Sequence, residues 1–239
     1  MGVARPRRID RDWSCDHCGY NLRGLWSDRP CPGCGRRNYQ VPEPDRSHAY
    51  AAWLDRGIAD TEPATRFGAF LLAAVVGGPF AIAVAFVQNT QAVMAIGIMA
   101  LVVVAPVIEE VLKVGILAML IERRPYLFAN ALHIRMAAWT SAAIFASLEN
   151  FYYLELAPGM QHYTVTDTLV QWRWIACFSM HVIATGIVAE GLVRIWERAI
   201  TELRPPRLEK VLPWLIAAAV LHGAFNGVAL LLEMHGFFH

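Results

Sequence analysis

The first 66 residues of this 239-residue chain lack any long apolar run. That excludes a secretory signal peptide, which needs a hydrophobic stretch near its start. The Met1-Gly2 start lacks the Ser or Thr of a myristoylation signal. Internal repeats and low-complexity tracts are absent as well, which argues against the repeat-built secondary transporters. Net charge is nearly absent at +1. It says little about partners, because the charges are segregated into an Arg-rich first quarter and a few later loops. Hydrophobic residues are abundant: they make up 56% of the chain, and mean hydropathy is +0.37. After Arg66 the apolar stretches dominate, which indicates an all-α polytopic membrane protein.

Cysteine is scarce, and four of the five residues are bunched as Cys15-x2-Cys18-x12-Cys31-x2-Cys34. Two such knuckles offer four thiolates to one tetrahedral ion, so the pattern predicts a structural zinc ribbon. Glycine follows each knuckle, at Gly19 and Gly35, as tight turns around a metal require. A disulfide pair is the competing reading. Iron is a competing ion, because Cys31-Pro-Gly-Cys34 resembles a rubredoxin knuckle. The segment is too short to build a core without metal. Zinc thiolates suit a reducing compartment, so the ribbon is expected in the cytoplasm. It reads as a regulatory or docking module. Arg36-Arg37 is thin support for nucleic-acid binding, and none is expected. Cys177 lies in an apolar stretch and reads as packing.

A spanning helix needs about 20 apolar residues. Five candidates qualify: Phe67–Val87, Ala92–Ile121, Arg135–Leu154, Trp172–Trp196 and Val211–Met234. The second is longer than a bilayer requires, and Pro106 is the obvious place for a kink. Loop charges alternate around these spans. Gln88–Gln91 is neutral, and the loop from Glu122 to His133 carries Arg123 and Arg124. The loop Glu155–Gln171 is acidic, and Arg194–Lys210 is basic. Five spans with a cytoplasmic N-terminus satisfy that alternation, in a bacterial inner membrane. The expected organisation is a ribbon over 1–40, a linker or interfacial helix over 41–66 and a polytopic domain over 67–239. Within the linker, Ser47–Ala59 reads either as an amphipathic helix on the cytoplasmic face or as a simple connection.

Ionisable groups sit inside these spans, where each charge costs roughly 2.5–3.5 kcal/mol and marks a functional-site hypothesis. They are Glu109, Glu110 and Lys113 in the second span, Glu149 beside Asn150 in the third, His181 in the fourth, and His222 with Asn226 in the fifth. Counted from the cytoplasmic ends at ~1.5 Å per residue, Glu109, Glu110, Glu149, His181, His222 and Asn226 lie ~17–23 Å deep. Four helices thus place polar groups in one layer, where each lowers the cost of burying the others. Spacing adds detail: Glu109 with Lys113, His222 with Asn226, and Glu190 with Arg194 are i, i+4 pairs on shared faces. Glu109 and Glu110 point ~100° apart and are expected to have separate jobs.

The segments EEVLK (Glu109–Lys113), FASLEN (Phe145–Asn150), His181 followed by Gly186, and HGAFN (His222–Asn226) resemble, in order, the motifs of the PrsW family of intramembrane proteases. That family is related to the CAAX-prenyl endopeptidase and bacteriocin-processing superfamily. The resemblance covers roughly Phe67 to Met234. In the wider superfamily the second motif ends in histidine, and Glu149 stands there as in the PrsW branch. The resemblance implies an all-helical membrane fold and hydrolysis of peptide bonds in membrane-associated polypeptides. Regulated cleavage of anti-sigma factors, or maturation of small peptides, is the kind of task it suggests.

The expected chemistry is attack of water on a peptide carbonyl with Glu109 or Glu110 as general base. Two versions stay open. In one, Glu149, His181 and His222 bind a second divalent metal, leaving an open coordination position. In the other, a glutamate and a histidine activate the water alone, and His222 and Asn226 donate to the oxyanion. The competing readings are a proton- or ion-coupled transporter, a catalytically inactive receptor or scaffold, a haem site on the two histidines, and a buried ion-pair staple around Lys113.

Overall fold

The computed structural model describes residues 9, 12–26, 29–36, 46–83, 96–156 and 167–238. The loop Gln88–Gln91, most of the loop Glu155–Gln171 and the adjoining span ends lie outside the described residues, as do residues 37–45 after the ribbon. The chain divides into two units, 1–49 and 50–239.

The first unit is built on its cysteines. Two equivalent turns close by Gly19 N–H donating to Cys15 O at 2.9 Å and Gly35 N–H donating to Cys31 O at 2.7 Å. Gly19 and Gly35 have φ of +73° and +70°, in the left-handed region that a side chain disfavours. The sulfurs of Cys15 and Cys34 are 3.7 Å apart, as are those of Cys18 and Cys31. All four ligand atoms lie within 4.8 Å of one another, and the cysteines are free thiols. A tetrahedral ion with metal–sulfur bonds of ~2.3 Å sets its sulfurs ~3.8 Å apart, so the cluster fits a metal. Beneath it Ile9 and Leu22 form a small core with Trp13 and Leu25.

The second unit is all-α. Among the described residues of the chain there is no strand, and an isolated bridge joins Ser14 and Asn21 in the first unit. Helix α1 (Arg46–Asp60) occupies the segment for which a helix and a simple linker were both open. It packs on the bundle through Trp53, edge-on to Tyr126 at 5.2 Å. Helices α2 (Pro63–Ala83), α3 (Ala105–Arg123), α4 (Ala131–Phe151), α5 (Thr168–Thr201) and α6 (Leu212–Met234) follow. Their starts follow from local chemistry. Pro63 and Pro213 stand in first turns, where a missing N–H costs nothing. Asn130 caps α4 by accepting from His133 N–H at 2.9 Å.

The core lies where α5 packs on α3, α4 and α6. Small residues such as Ala137, Ala138, Ser141 and Ala142 let α4 approach its neighbours closely. Among the described residues, three helices are long and apolar enough to cross a membrane: α2, α5, and Leu208–Met234, which contains α6. The remaining two, α3 and α4, carry the buried carboxylates and the lysine. The architecture is an all-α membrane protein of about five transmembrane helices preceded by a cysteine-bound module.

The second span breaks one turn before the expected kink at Pro106. Ala100–Val104 forms a π-helical turn, closed by Ala105 N–H donating to Ala100 O. The next bond in that register would run from Pro106 to Leu101 O, and proline has no N–H. Asn226 on α6 supplies the missing donor, its Nδ2 lying 3.0 Å from Leu101 O. Gly223, three residues earlier on α6, permits that approach, because a Cβ there would fall 2.1 Å from Val102 O. Another π-helical turn, Trp172–Cys177, lies inside α5. There Asn150 Nδ2 donates to Arg173 O at 2.9 Å.

Candidate active site

The polar layer read from the sequence converges in space. Glu109, Glu110 and Lys113 come from α3, Glu149 from α4, His181 from α5 and His222 from α6. Glu110 lies at the centre. Its Oε1 accepts from Lys113 Nζ at 2.7 Å and from His222 Nδ1 at 3.0 Å, and its Oε2 accepts from Thr185 Oγ1 at 2.8 Å. Three donors saturate this fully buried carboxylate, as a buried charge requires. Lys113 Nζ also donates to His181 Nδ1 at 2.8 Å and sits 4.4 Å over the Phe145 ring. An ammonium can only donate, so the His181 proton is on Nε2, which gives it to Glu149 Oε2 at 3.0 Å. The His181 and His222 rings stand perpendicular with centroids 4.8 Å apart.

The structure changes several expected partners. Lys113 pairs with Glu110 at i, i+3 rather than with Glu109 at i, i+4. Both spacings are neighbours on a helix, and the inward face shared with His222 and Thr185 decides between them. Glu190 takes a two-pronged contact from Arg135 of α4, at 2.5 and 3.1 Å, while Arg194 lies 4.7 Å over the Trp214 ring. The fork of Arg135 matches both carboxylate oxygens across the helix interface. Asn226, expected as an oxyanion donor, gives one of its two Nδ2–H groups to Leu101 O. The donor atoms of Glu109, His181 and His222 lie within 4.8 Å of one another, whereas the sequence grouped Glu149 with the two histidines. Glu149 instead contacts His181 and Arg173, the latter through Nη2 at 3.2 Å. Cys177 is buried in α5, as packing requires.

A cavity of about 400 Å³ opens beside this cluster. Glu109, Glu149, Arg173, His181 and Asn226 form its polar wall, Ala105, Met180 and Ala229 line it with apolar surface, and Trp172, Glu233 and Phe238 extend it towards the start of α5 and the end of α6. Side-chain exposure ranks the three acids as 0% for Glu110, 5% for Glu109 and 18% for Glu149. Glu149 is therefore the carboxylate that water reaches most easily. Two polar partners escaped the sequence reading. Thr185 is four residues after His181 on the same face, a spacing that could have revealed it. Arg173 lies at the edge of its span and reads from sequence as an ordinary interface anchor.

No curated protein and no solved structure matches the sequence. The model of the PrsW family intramembrane metalloproteases matches residues 62–238, which takes in every member of the buried polar cluster. An apolar helical bundle that folds carboxylates and imidazoles around an internal cavity suits hydrolysis within a membrane, and this chain belongs to the PrsW family of intramembrane metalloproteases.

Proposed function

We propose that this intramembrane peptidase uses Glu149 as the general base, with Glu109, His181 and His222 as the set that holds a divalent metal. The observation that carries the reading is the convergence of those three donors to within 4.8 Å of one another, beside a cavity lined by Glu109, His181 and Glu149. The donor chemistry fits an ion. His222 has its Nδ1 proton tied to Glu110, which leaves the Nε2 lone pair facing Glu109 Oε2 at 3.6 Å. Ligands of a tetrahedral ion with bonds of ~2.0–2.1 Å lie ~3.4 Å apart. The arrangement of Glu110 behind His222 is the carboxylate–histidine support common at metal sites. His181 joins the set by releasing its Nε2 proton, and Lys113 is placed to return one to Nδ1. A bound ion would supply Lewis-acid polarisation and lower the pKa of water. The chain's own groups do the rest. Glu149 takes the proton from the attacking water and returns it to the leaving nitrogen. Glu110 and Lys113 fix the two imidazoles, and the apolar bundle keeps bulk water out.

Measured metal content divides these roles. In protein lacking the ribbon cysteines, Glu109→Gln and His222→Ala should lose the remaining ion, whereas Glu149→Gln should keep it and lose peptide hydrolysis. Loss of the ion from Glu149→Gln with retention in Glu109→Gln would restore the ligand set grouped from sequence. An active enzyme without the ion would establish the metal-free version, which the closed pairing of His181 between Lys113 and Glu149 favours. The same reading places the catalytic domain over residues 67–239, the N-terminus in the bacterial cytoplasm, and zinc with a regulatory partner at the ribbon over residues 1–40. The substrates are membrane-embedded or membrane-adjacent polypeptides.

A further inference from the structure

We infer that Arg173 is a catalytic residue whose guanidinium stabilises the oxyanion formed during peptide hydrolysis. The inference rests on the reading of Glu149 as base. The other donors around the site each already serve a protein acceptor, although the amides of Asn226 and Asn150 each have a second N–H. Asn226 donates to Leu101 O, Asn150 to Arg173 O, Lys113 to Glu110 and His181, and His222 Nδ1 to Glu110. Arg173 is different. It lines the cavity, and among the described residues it is the only lysine or arginine that does so. Its side chain is 14% exposed. Of its five N–H donors, one nitrogen contacts Glu149, and the buried Nε has no hydrogen-bond partner. The group is not loose, because Cζ sits 4.1 Å over the Tyr153 ring.

The step balances without a further reactant. The oxygen of water bonds to the carbonyl carbon as Glu149 takes a proton, and the C=O π pair moves onto oxygen beside Arg173. That pair then re-forms the carbonyl as the C–N bond breaks, and Glu149 returns its proton to the leaving amine. A guanidinium next to both the base and the nascent oxyanion favours the charged transition state over the neutral amide, which is what raises kcat. The π-helical turn Trp172–Cys177 aims this side chain, and Asn150 pins the Arg173 carbonyl.

A structural role would be different, because an arginine that merely keeps Glu149 ionised acts only on the acid limb of the pH profile. The experiment measures kcat and KM against pH for wild type, Arg173→Lys, Arg173→Met and Glu149→Gln, with a single-span peptide as substrate. It also measures binding of a phosphinic peptide and of an uncleavable amide isostere. Arg173→Met is expected to lower the plateau kcat by about 10²–10³, with KM changed only a few-fold. The phosphinic peptide should bind it more weakly by a similar factor, while the isostere binds as before. Arg173→Lys should recover part of both losses. A plateau kcat for Arg173→Met that returns to wild type above the acid limb would overturn the inference, as would unchanged phosphinic-peptide affinity. The affinities need only folded protein, and Arg173→Lys supplies a second variant should Arg173→Met misassemble. An active Glu149→Gln would instead overturn the choice of base, so the two failures are distinguishable.

Discussion

Neutralising both members of the Glu110–Lys113 pair should destabilise the bundle by clearly less than the sum of neutralising each alone. The two charges are 2.7 Å apart and 0% exposed. At an effective dielectric of ~20 their attraction is ~6 kcal/mol, most of which offsets the cost of taking both ions out of water. Glu110→Gln leaves the ammonium without a counterion, and Lys113→Met leaves a carboxylate supported only by His222 and Thr185. Each single change should cost about 3–5 kcal/mol. The double variant removes both charges together and should fall short of the summed cost by about 3 kcal/mol. Unfolding by denaturing detergent from mixed micelles, followed by tryptophan fluorescence, measures all four corners of the cycle. Costs that add to within ~0.5 kcal/mol would refute the pairing and with it the central position assigned to Glu110.

Three other outcomes follow from the geometry. Asn226→Ala should cost about 1–3 kcal/mol in the same unfolding assay, because the Leu101 carbonyl loses its donor, while kcat falls less than tenfold; a hundredfold loss in kcat would return Asn226 to the oxyanion. Gly223→Ala should cost at least about 1–3 kcal/mol, since the new methyl would meet the Val102 carbonyl at 2.1 Å, and a variant as stable as wild type would disprove that close crossing. Cys31→Ser should lower bound metal by one ion per chain and open residues 12–36 to protease; unchanged metal and unchanged cleavage would count against a metal-held ribbon.

The sequence carried the depth of the polar layer, because charge inside an apolar helix is conspicuous and rise per residue is fixed. Glu109, Glu110, Glu149, His181 and His222 could therefore be placed at one level before any coordinates. The cysteine spacing was equally legible, since four thiols at two knuckles leave few arrangements. Partner choice was not. Whether Lys113 turns to Glu109 or Glu110 depends on the rotation of α3 against α5 and α6, which the pattern of one helix does not contain. The Leu101 partner of Asn226 was hidden for a related reason: it is a carbonyl orphaned by Pro106 some 120 residues away, and π-helical turns leave no periodic trace. Arg173 was passed over because an arginine at the edge of a span is ordinary, and only the turn of α5 brings it to the cavity.

The saturation of Glu110 by donors from α3, α5 and α6 bears on how the protein enters its membrane. Helix α3 alone would carry two acids and a lysine into lipid at a steep penalty, and its remedies, Thr185 and His222, are synthesised tens of residues later. Insertion of α3 should therefore wait for its successors, so chains truncated before α5 should leave the Glu109–Lys113 segment reachable by water-soluble labels, whereas full-length chains shield it. Assembly of the catalytic chemistry and commitment to the bilayer would then be a single event.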